Sequence, residues 1–511
     1  MTDTVLRACL AAVLACNAAL LPIPAAHARD CESVTILDLS HTRITHAELV
    51  GAGKFMQPSP AGGQAATDAY ASLPSFCRIV GSIRPSVDSD IRFEVWMPAT
   101  NWNGKFVGVG NGAWAGSIPY EAMTQPLSKG FATAATDTGH QGDPSDASFA
   151  RGHPEKLIDF GHRAVHETAL AAKAAIRAFY GRPPQRSLFA SCSTGGRQAL
   201  MEAYRHPEDY DGISAMAPAN STVRLMASSL WTSSATLRDP ARSVSPAQFE
   251  FVYRAALAAC DSRDGIADGV ISSPAHCAFD PAVLRCATVD ADPNACLSEP
   301  QIDAMQAIYQ GPRNPRTHQS IFPGFAPGSE KWLAIQSLNG RPFPAVSSYF
   351  RELVFADPAW DFRTFDYDHD VHRALQAHAA ILDVPATGLA PYLAQGRKLL
   401  LSHGWADPLV PPMTSVQFYQ KMTGGLAANQ AANARLFMIP GMAHCGGGDG
   451  PFAFDVIDVI DRWAETGRAP GRIVVSNPPG APERSRPICP FPEEALYEGS
   501  GSTDDESNFS C

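Results

Sequence analysis

Charge is scarce in this chain. Asp, Glu, Lys and Arg together make 18% of it, and the balance is acidic, at −11. No run of Lys or Arg is available to neutralise phosphates, which excludes nucleic acid as a partner. Beyond the N-terminal segment, no stretch offers the ~20 apolar residues, free of charges and prolines, that a membrane-spanning helix needs, so no membrane partner is expected. No repeat of fixed period recurs, which removes solenoids and propellers. Disorder is excluded by a hydrophobic content of 45%.

What is present begins with an N-terminal address. Residues 1–28 read as a signal peptide, with Arg7 ahead of an apolar stretch from Ala8 to Pro24 and the small-x-small site Ala26-His27-Ala28. The mature protein is therefore expected to be soluble and secreted or periplasmic. Cleavage removes Cys9 and Cys16 and leaves ten cysteines, an even number in an oxidising compartment. Locality in sequence suggests Cys31 with Cys77, Cys260 with Cys277, Cys286 with Cys296, and Cys489 with Cys511. The remaining pair, Cys192 and Cys445, adjoins the two most reactive-looking side chains, Ser193 and His444. A disulfide holds its Cα atoms within about 7 Å, so that bond would bring the serine and the histidine together.

The 511 residues exceed one ordinary core. An alternating strand and helix rhythm occupies residues 29–217 and 397–511, and between them, over 218–396, it is lost. The spacing predicts strands at Ile91–Pro98 and Lys105–Gly110, a helix from His162 to Tyr180, a strand at Ser187–Ala190, and a helix from Arg197 to Arg205. The expectation is an α/β catalytic domain with a large inserted lid domain at 218–396.

A strand, a sharp glycine-flanked turn and a helix are the surroundings of a nucleophile elbow, here Ser191-Cys192-Ser193-Thr194-Gly195. Serine oxygen is a poor nucleophile at neutral pH. It needs a base to take its proton and backbone N–H groups to hold the oxyanion. The Thr194 amide is the first expected donor. The second is assigned to Gly110 or Asn111 in the loop Gly108-Val109-Gly110-Asn111-Gly112. His444 is the expected base, since no zinc-type spacing surrounds it. Asp407, after the strand-like run Leu399-Leu400-Leu401, is the expected acid, with Asp383 the more distant alternative. The order Ser193, Asp407, His444 is that of the α/β-hydrolase triad. His403 reads as structural or substrate-side. His162 and His166 lack the intervening Glu of a zincin motif and read as a polar helix face.

Within the insert, Asp261, Asp264 and Asp268 fall in eight positions with two glycines. Hard oxygen donors so grouped suit calcium, with carbonyls of Ile266 and Val270 completing the set. The other reading is an Asp-Gly turn held by Cys260. Trp231, Phe322, Phe325, Trp332, Tyr349, Phe350 and Arg351 are candidate substrate contacts, although lid aromatics more often form a small core of their own.

The segments Cys192-Ser193-Thr194-Gly195-Gly196-Arg197-Gln198, Asp407 and His444-Cys445 resemble the tannase and feruloyl esterase family of α/β-hydrolases, as do Pro207–Ile213 and Asp357–Asp361. The resemblance runs from about Cys31 to Cys511. It implies a serine carboxylesterase with Ser193 as nucleophile, His444 as base, Asp407 as its orienter, a Cys192–Cys445 disulfide, and structural Ca2+ at Asp261, Asp264, Ile266, Asp268 and Val270. It also implies small esters of aromatic acids as substrates. A triad does not separate esters from amides, so a peptidase or amidase on the same fold is the second reading. A non-catalytic binding protein that keeps the fold is the third.

Overall fold

Short apolar runs, bounded by glycine and aspartate, assemble into one nine-stranded sheet in the computed structural model. Residues 30–58, 64–65, 68–288, 292 and 294–511 are described; the segment read as a signal peptide lies outside them. The strands are β1 (Thr42–Val50), β2 (Phe76–Ile83), β3 (Ile91–Pro98), β4 (Lys105–Gly108), β5 (Ala132–Thr136), β6 (Arg186–Cys192), β7 (Gly212–Met216), β8 (Lys398–Gly404) and β9 (Ala434–Ile439). Their order across the sheet is β1-β2-β3-β5-β4-β6-β7-β8-β9. Pairing is antiparallel from β1 through β3 to β5 and parallel from β5 onward.

Helices α1 (Ala164–Tyr180), α2 (Thr194–Arg205), α3 (Thr222–Leu237), α4 (Pro246–Cys260), α5 (Glu299–Gln310), α6 (His369–Leu382), α7 (Met413–Thr423) and α8 (Val456–Thr466) follow in chain order. Successive strand residues point to opposite faces. Phe106, Phe189, Ile213, Leu401 and Leu436 pack with apolar residues of α1, α2 and α7. Val107, Leu188, Leu400 and Phe437 pack with Ile457, Ile460 and Trp463 of α8. Both faces are thus covered, as a parallel sheet requires.

The strand expected at Ile91–Pro98 is present, with only Arg92 exposed. Glu94 is buried because Arg78 reaches it at 2.6 Å and Trp96 Nε1 donates to it at 2.9 Å. The helix after Ser193 begins at Thr194, not Arg197, so Gly195 and Gly196 are helical.

Between Met216 and Lys398 the described chain adds no strand to the central sheet. It builds its own apolar clusters, one around Val223, Tyr349 and Phe365, the other around Phe249, Ile302 and Met305. The five expected disulfides are present, Cys31–Cys77, Cys192–Cys445, Cys260–Cys277, Cys286–Cys296 and Cys489–Cys511. No helix among the described residues is long and apolar enough to cross a membrane.

Candidate active site

Four connections at the carboxyl ends of β4, β6, β8 and β9 meet at one cavity of about 90 Å3, the edge where α/β sheets bind ligands. Ser193 stands between β6 and α2 at φ 63°, ψ −124°. A non-glycine residue in that region carries strain of about 1–3 kcal/mol, sustained only where the surroundings over-determine it. Here the Ser193 amide donates to Met216 O at 3.0 Å, and its carbonyl accepts from Arg197 N at 3.0 Å and Ala219 N at 3.1 Å.

The glycines explain how the turn closes. A Cβ on Gly195 would overlap the Ser191 side chain, and one on Gly196 would lie 2.7 Å from Met216 O. Ser191 can therefore replace the usual glycine of the elbow because the residue facing it has no side chain.

Asp407 follows β8 and is fully buried. Its Oδ1 accepts from the amides of Leu409 (2.8 Å) and Val410 (2.9 Å). Its Oδ2 meets His444 Nδ1 at 2.7 Å and His403 Nε2 at 3.1 Å. Burial alone would raise the Asp407 pKa, but the charge of His444 and the hydrogen bonds from both histidines hold it well below the usual carboxylate range. His444 shows the reciprocal effect. Burial pulls its pKa down, and the Asp407 charge and hydrogen bond outweigh that and raise it.

His403 is structural. It is wholly buried and bonds Ser415 Oγ at 2.7 Å, so it braces the outer face of Asp407. Asp383 lies elsewhere, with the Val223 amide at 3.1 Å. Cys192 and Cys445 bring the residues beside Ser193 and His444 to a Cα separation of 5.9 Å, and both Ser193 and His444 line the cavity.

Of the two expected second oxyanion donors, Asn111 needs correction. The Asn111 amide already donates to Gln198 Oε1 at 3.0 Å, and its side chain donates to Ser117 O and Thr136 O. Asn111 therefore holds the loop shape. Gly110 gives close approach, since a Cβ there would lie 2.7 Å from Gly195 Cα. Ala113, at φ 45°, and Trp114 are the loop residues that line the cavity beside Ser193 and Thr194. Their position just past the glycines was the available signal.

The opposite wall comes from the insert. Thr222, Leu225, Met226 and Ser229 lie at helical spacing along one face of α3, joined by Phe343 and Val346. None of the seven candidate lid contacts lines the cavity. Phe322 packs with Ala219, Leu225 and Val410 behind that wall. Tyr349 stacks on Trp114 at 5.6 Å from outside. Arg351 pairs with Glu352 at 2.8 Å.

In the loop between Cys260 and Cys277, Asp261 accepts from the amides of Asp268 (3.1 Å) and Gly269 (2.9 Å), and Asp264 from Ile266 N (3.1 Å) and Ser272 Oγ (2.6 Å). Asp268 accepts from Val270 N at 3.2 Å and pairs with Arg484 and with Arg486, the latter at 2.5 Å. Burial and the charges of Asp268 and Asp261 push the Asp264 carboxyl up. The donors are all oxygen, the type a hard cation takes, but the three carboxylates do not converge within 4.8 Å of one another, and each is engaged by loop donors or by arginine.

Sheet order, elbow and acid–histidine arrangement together make this an α/β-hydrolase. Residues 77–511 match the family described as tannase and feruloyl esterase, and the chain belongs to that family. It is 37% identical to an uncharacterized esterase of Xanthomonas campestris pv. campestris, over 98% of this chain and 93% of that one. It is 31% identical to the mono(2-hydroxyethyl) terephthalate hydrolase of Piscinibacter sakaiensis, over 87% and 86%. The solved structure of feruloyl esterase B from Aspergillus oryzae superposes with a TM-score of 0.86 at 27% identity, over 94% of this chain and 99% of that chain. The chain is a carboxylic ester hydrolase.

Proposed function

We propose that this protein is an exported serine esterase that cleaves esters of aromatic acids by two-step acyl transfer. The observation that carries the reading is the 2.7 Å contact between His444 Nδ1 and Asp407 Oδ2, with His444 and Ser193 on one cavity. Ser193 Oγ attacks the ester carbonyl as His444 Nε2 takes its proton. The oxyanion rests on the Thr194 amide and on an amide of the Gly112–Ala113 segment. His444 returns the proton to the departing alcohol, and water then releases the acid by the same route.

The acid is held by an apolar, uncharged wall. Among the described residues, Arg197 is the lone Lys or Arg at the cavity, and its guanidinium is bound to the carbonyls of Gly161 (2.6 Å) and Phe160 (3.2 Å). This favours hydroxybenzoate or hydroxycinnamate esters over an acyl ring bearing a free carboxylate. Residues 1–28 together with five disulfides favour an oxidising compartment. We assign the Asp261–Val270 loop to structural calcium, held by Asp261, Asp264, Asp268 and the carbonyls of Ile266 and Val270. The bound ion would supply compensating charge there.

Product release from methyl gallate, methyl ferulate and mono(2-hydroxyethyl) terephthalate, measured in parallel with Ser193→Ala as the blank, tests the assignment. Turnover of the first two is expected, with loss of several orders of magnitude in the blank. Near wild-type turnover by a pure Ser193→Ala preparation would overturn the nucleophile. Preference for the terephthalate ester would overturn the uncharged acyl pocket.

A further inference from the structure

We propose a second metal site, for a divalent transition ion of the zinc, cobalt or nickel class, formed by His166, His206 and Asp209 with Glu202 beside them. It lies away from the chemistry. Asp209 precedes β7 and His206 directly follows α2, so the cluster sits at the amino-terminal edge of the strands, whereas Ser193 sits at the carboxyl edge. The site does not rest on the esterase reading.

One ligand atom from each of His166, His206 and Asp209 lies within 4.8 Å of the others, the one such grouping of three among the described residues. His166, in the first turn of α1, places Nδ1 at 2.6 Å from Asp209 Oδ2. Lys173 Nζ holds the other oxygen, Oδ1, at 3.3 Å and the Asp209 carbonyl at 2.5 Å, which orients the carboxylate and leaves Oδ2 toward the histidines. Mixed imidazole and carboxylate donors suit these ions better than calcium or magnesium.

The independent observation is Glu202. It lies one helical turn before His206 and is 1% exposed. Neither of its carboxylate oxygens has a donor among the described residues, and the polar group it meets is the Asp209 carboxyl. Two carboxyl groups brought together in a buried place with no donor between them are costly. A dication between them would satisfy both carboxylates at once. At present the two imidazoles are stacked, with centroids 3.6 Å apart and planes 9° apart. Loading therefore requires the half-buried His206 ring to turn about its Cβ–Cγ bond, and it releases protons.

The test uses the full chain, treated with chelator and then returned to calcium, and titrated with Co2+ by visible absorption and with Zn2+ by calorimetry. One Co2+ per chain is expected. Affinity should fall at least tenfold in His206→Phe, which keeps an aromatic ring stacked on His166 but removes the ligand, and also in Glu202→Gln. Paramagnetic shifts of the His166 and His206 ring protons in the wild-type protein give a readout that needs no variant to fold. Absence of Co2+ uptake, uptake undiminished in a folded His206→Phe chain, or unshifted ring protons would each overturn the site, leaving an ion-pair network of Asp209 with His166 and Lys173.

Discussion

The two walls of the active-site cavity are held by different forces. On the sheet side, Asp407 is fixed by four polar contacts, Ser193 by three backbone hydrogen bonds, and the two loops by a disulfide. On the insert side, Leu225, Met226, Phe343 and Val346 are held by packing, and Thr222 and Ser229 direct their hydroxyls into the insert, to Ala219 O and Gln336. Directional bonds fix atoms to a fraction of an ångström, as proton transfer demands. Apolar packing fixes a shape, which is sufficient to select an acyl group. On the proposed mechanism, the chemistry and the selectivity of this esterase are thus separable.

The sharpest way to break the sheet side is Asp407→Asn. It keeps the shape but no longer stabilises the His444 cation, and kcat should fall about 10⁴-fold. The residual rate carries further information. His444 must be neutral to act as a base, so activity fails as pH drops through its raised pKa, and the acid limb of kcat/KM in the wild-type enzyme should lie above the ordinary histidine value. In the variant the charge that raises the pKa is gone and burial acts alone, so the limb should move to lower pH. A limb that stays in place would separate Asp407 from His444.

Next in size is Cys192→Ala with Cys445→Ala. The bond closes a sequence separation of 253 residues, and the chain-entropy account puts its loss at about 5 kcal/mol of stability. Because the same bond sets the spacing of the serine and histidine loops, kcat should also drop on the order of 10²-fold at a temperature where the variant is folded. A lower melting temperature with unchanged kcat would mean that the hydrogen bonds alone hold the sheet side.

This division also explains what the sequence made legible. The contact of Asp407 with His444, and the place of Ser193 on the same cavity as His444, were readable because each residue sits at a fixed place in a short local pattern, and the five pairings followed from cysteines beside those patterns or close in sequence. The start of α2 was misread because Gly195 and Gly196 are poor helix formers, kept where side chains would strike Ser191 and Met216. Assignment of Asn111 to the oxyanion failed because its partner, Gln198, lies on a different element, and no local pattern announces that bond. The insert wall was the least legible. Its aromatic residues were readable as either substrate contacts or a small core, and Phe325, Tyr349 and Phe350 form its core, while an ordinary helix face, Thr222 to Ser229, meets the cavity.

Phe343→Ala should alter selectivity and leave the chemistry intact. The ring is half-buried, so fewer core contacts are lost than at Val346. The enlarged cavity should favour bulkier acids. The ratio of kcat/KM for methyl ferulate over methyl benzoate is expected to rise about 10-fold or more, within what a hydrophobic pocket can discriminate. An unchanged ratio would place the acyl group against another wall.

The smallest effect on turnover should come from removing the calcium proposed for the insert loop, which makes it the strictest test of separability. The Asp261–Val270 loop is tied by the Cys260–Cys277 bond to the end of α4, and its residues do not line the catalytic cavity. An ion bound only to the folded chain stabilises it through mass action. Chelation should therefore lower the melting temperature, more so at higher chelator excess, and leave kcat at saturating ester unchanged at temperatures where the protein stays folded. Without the ion, the charges of Asp261 and Asp264 are left to hydrogen bonds, and Asp268 to Arg484 and Arg486. Arg486→Gln should then deepen the chelation effect, because it removes a positive charge that otherwise compensates Asp268. A fall in kcat parallel to metal loss would instead tie the insert to the chemistry, and the two walls would have to be treated as one unit.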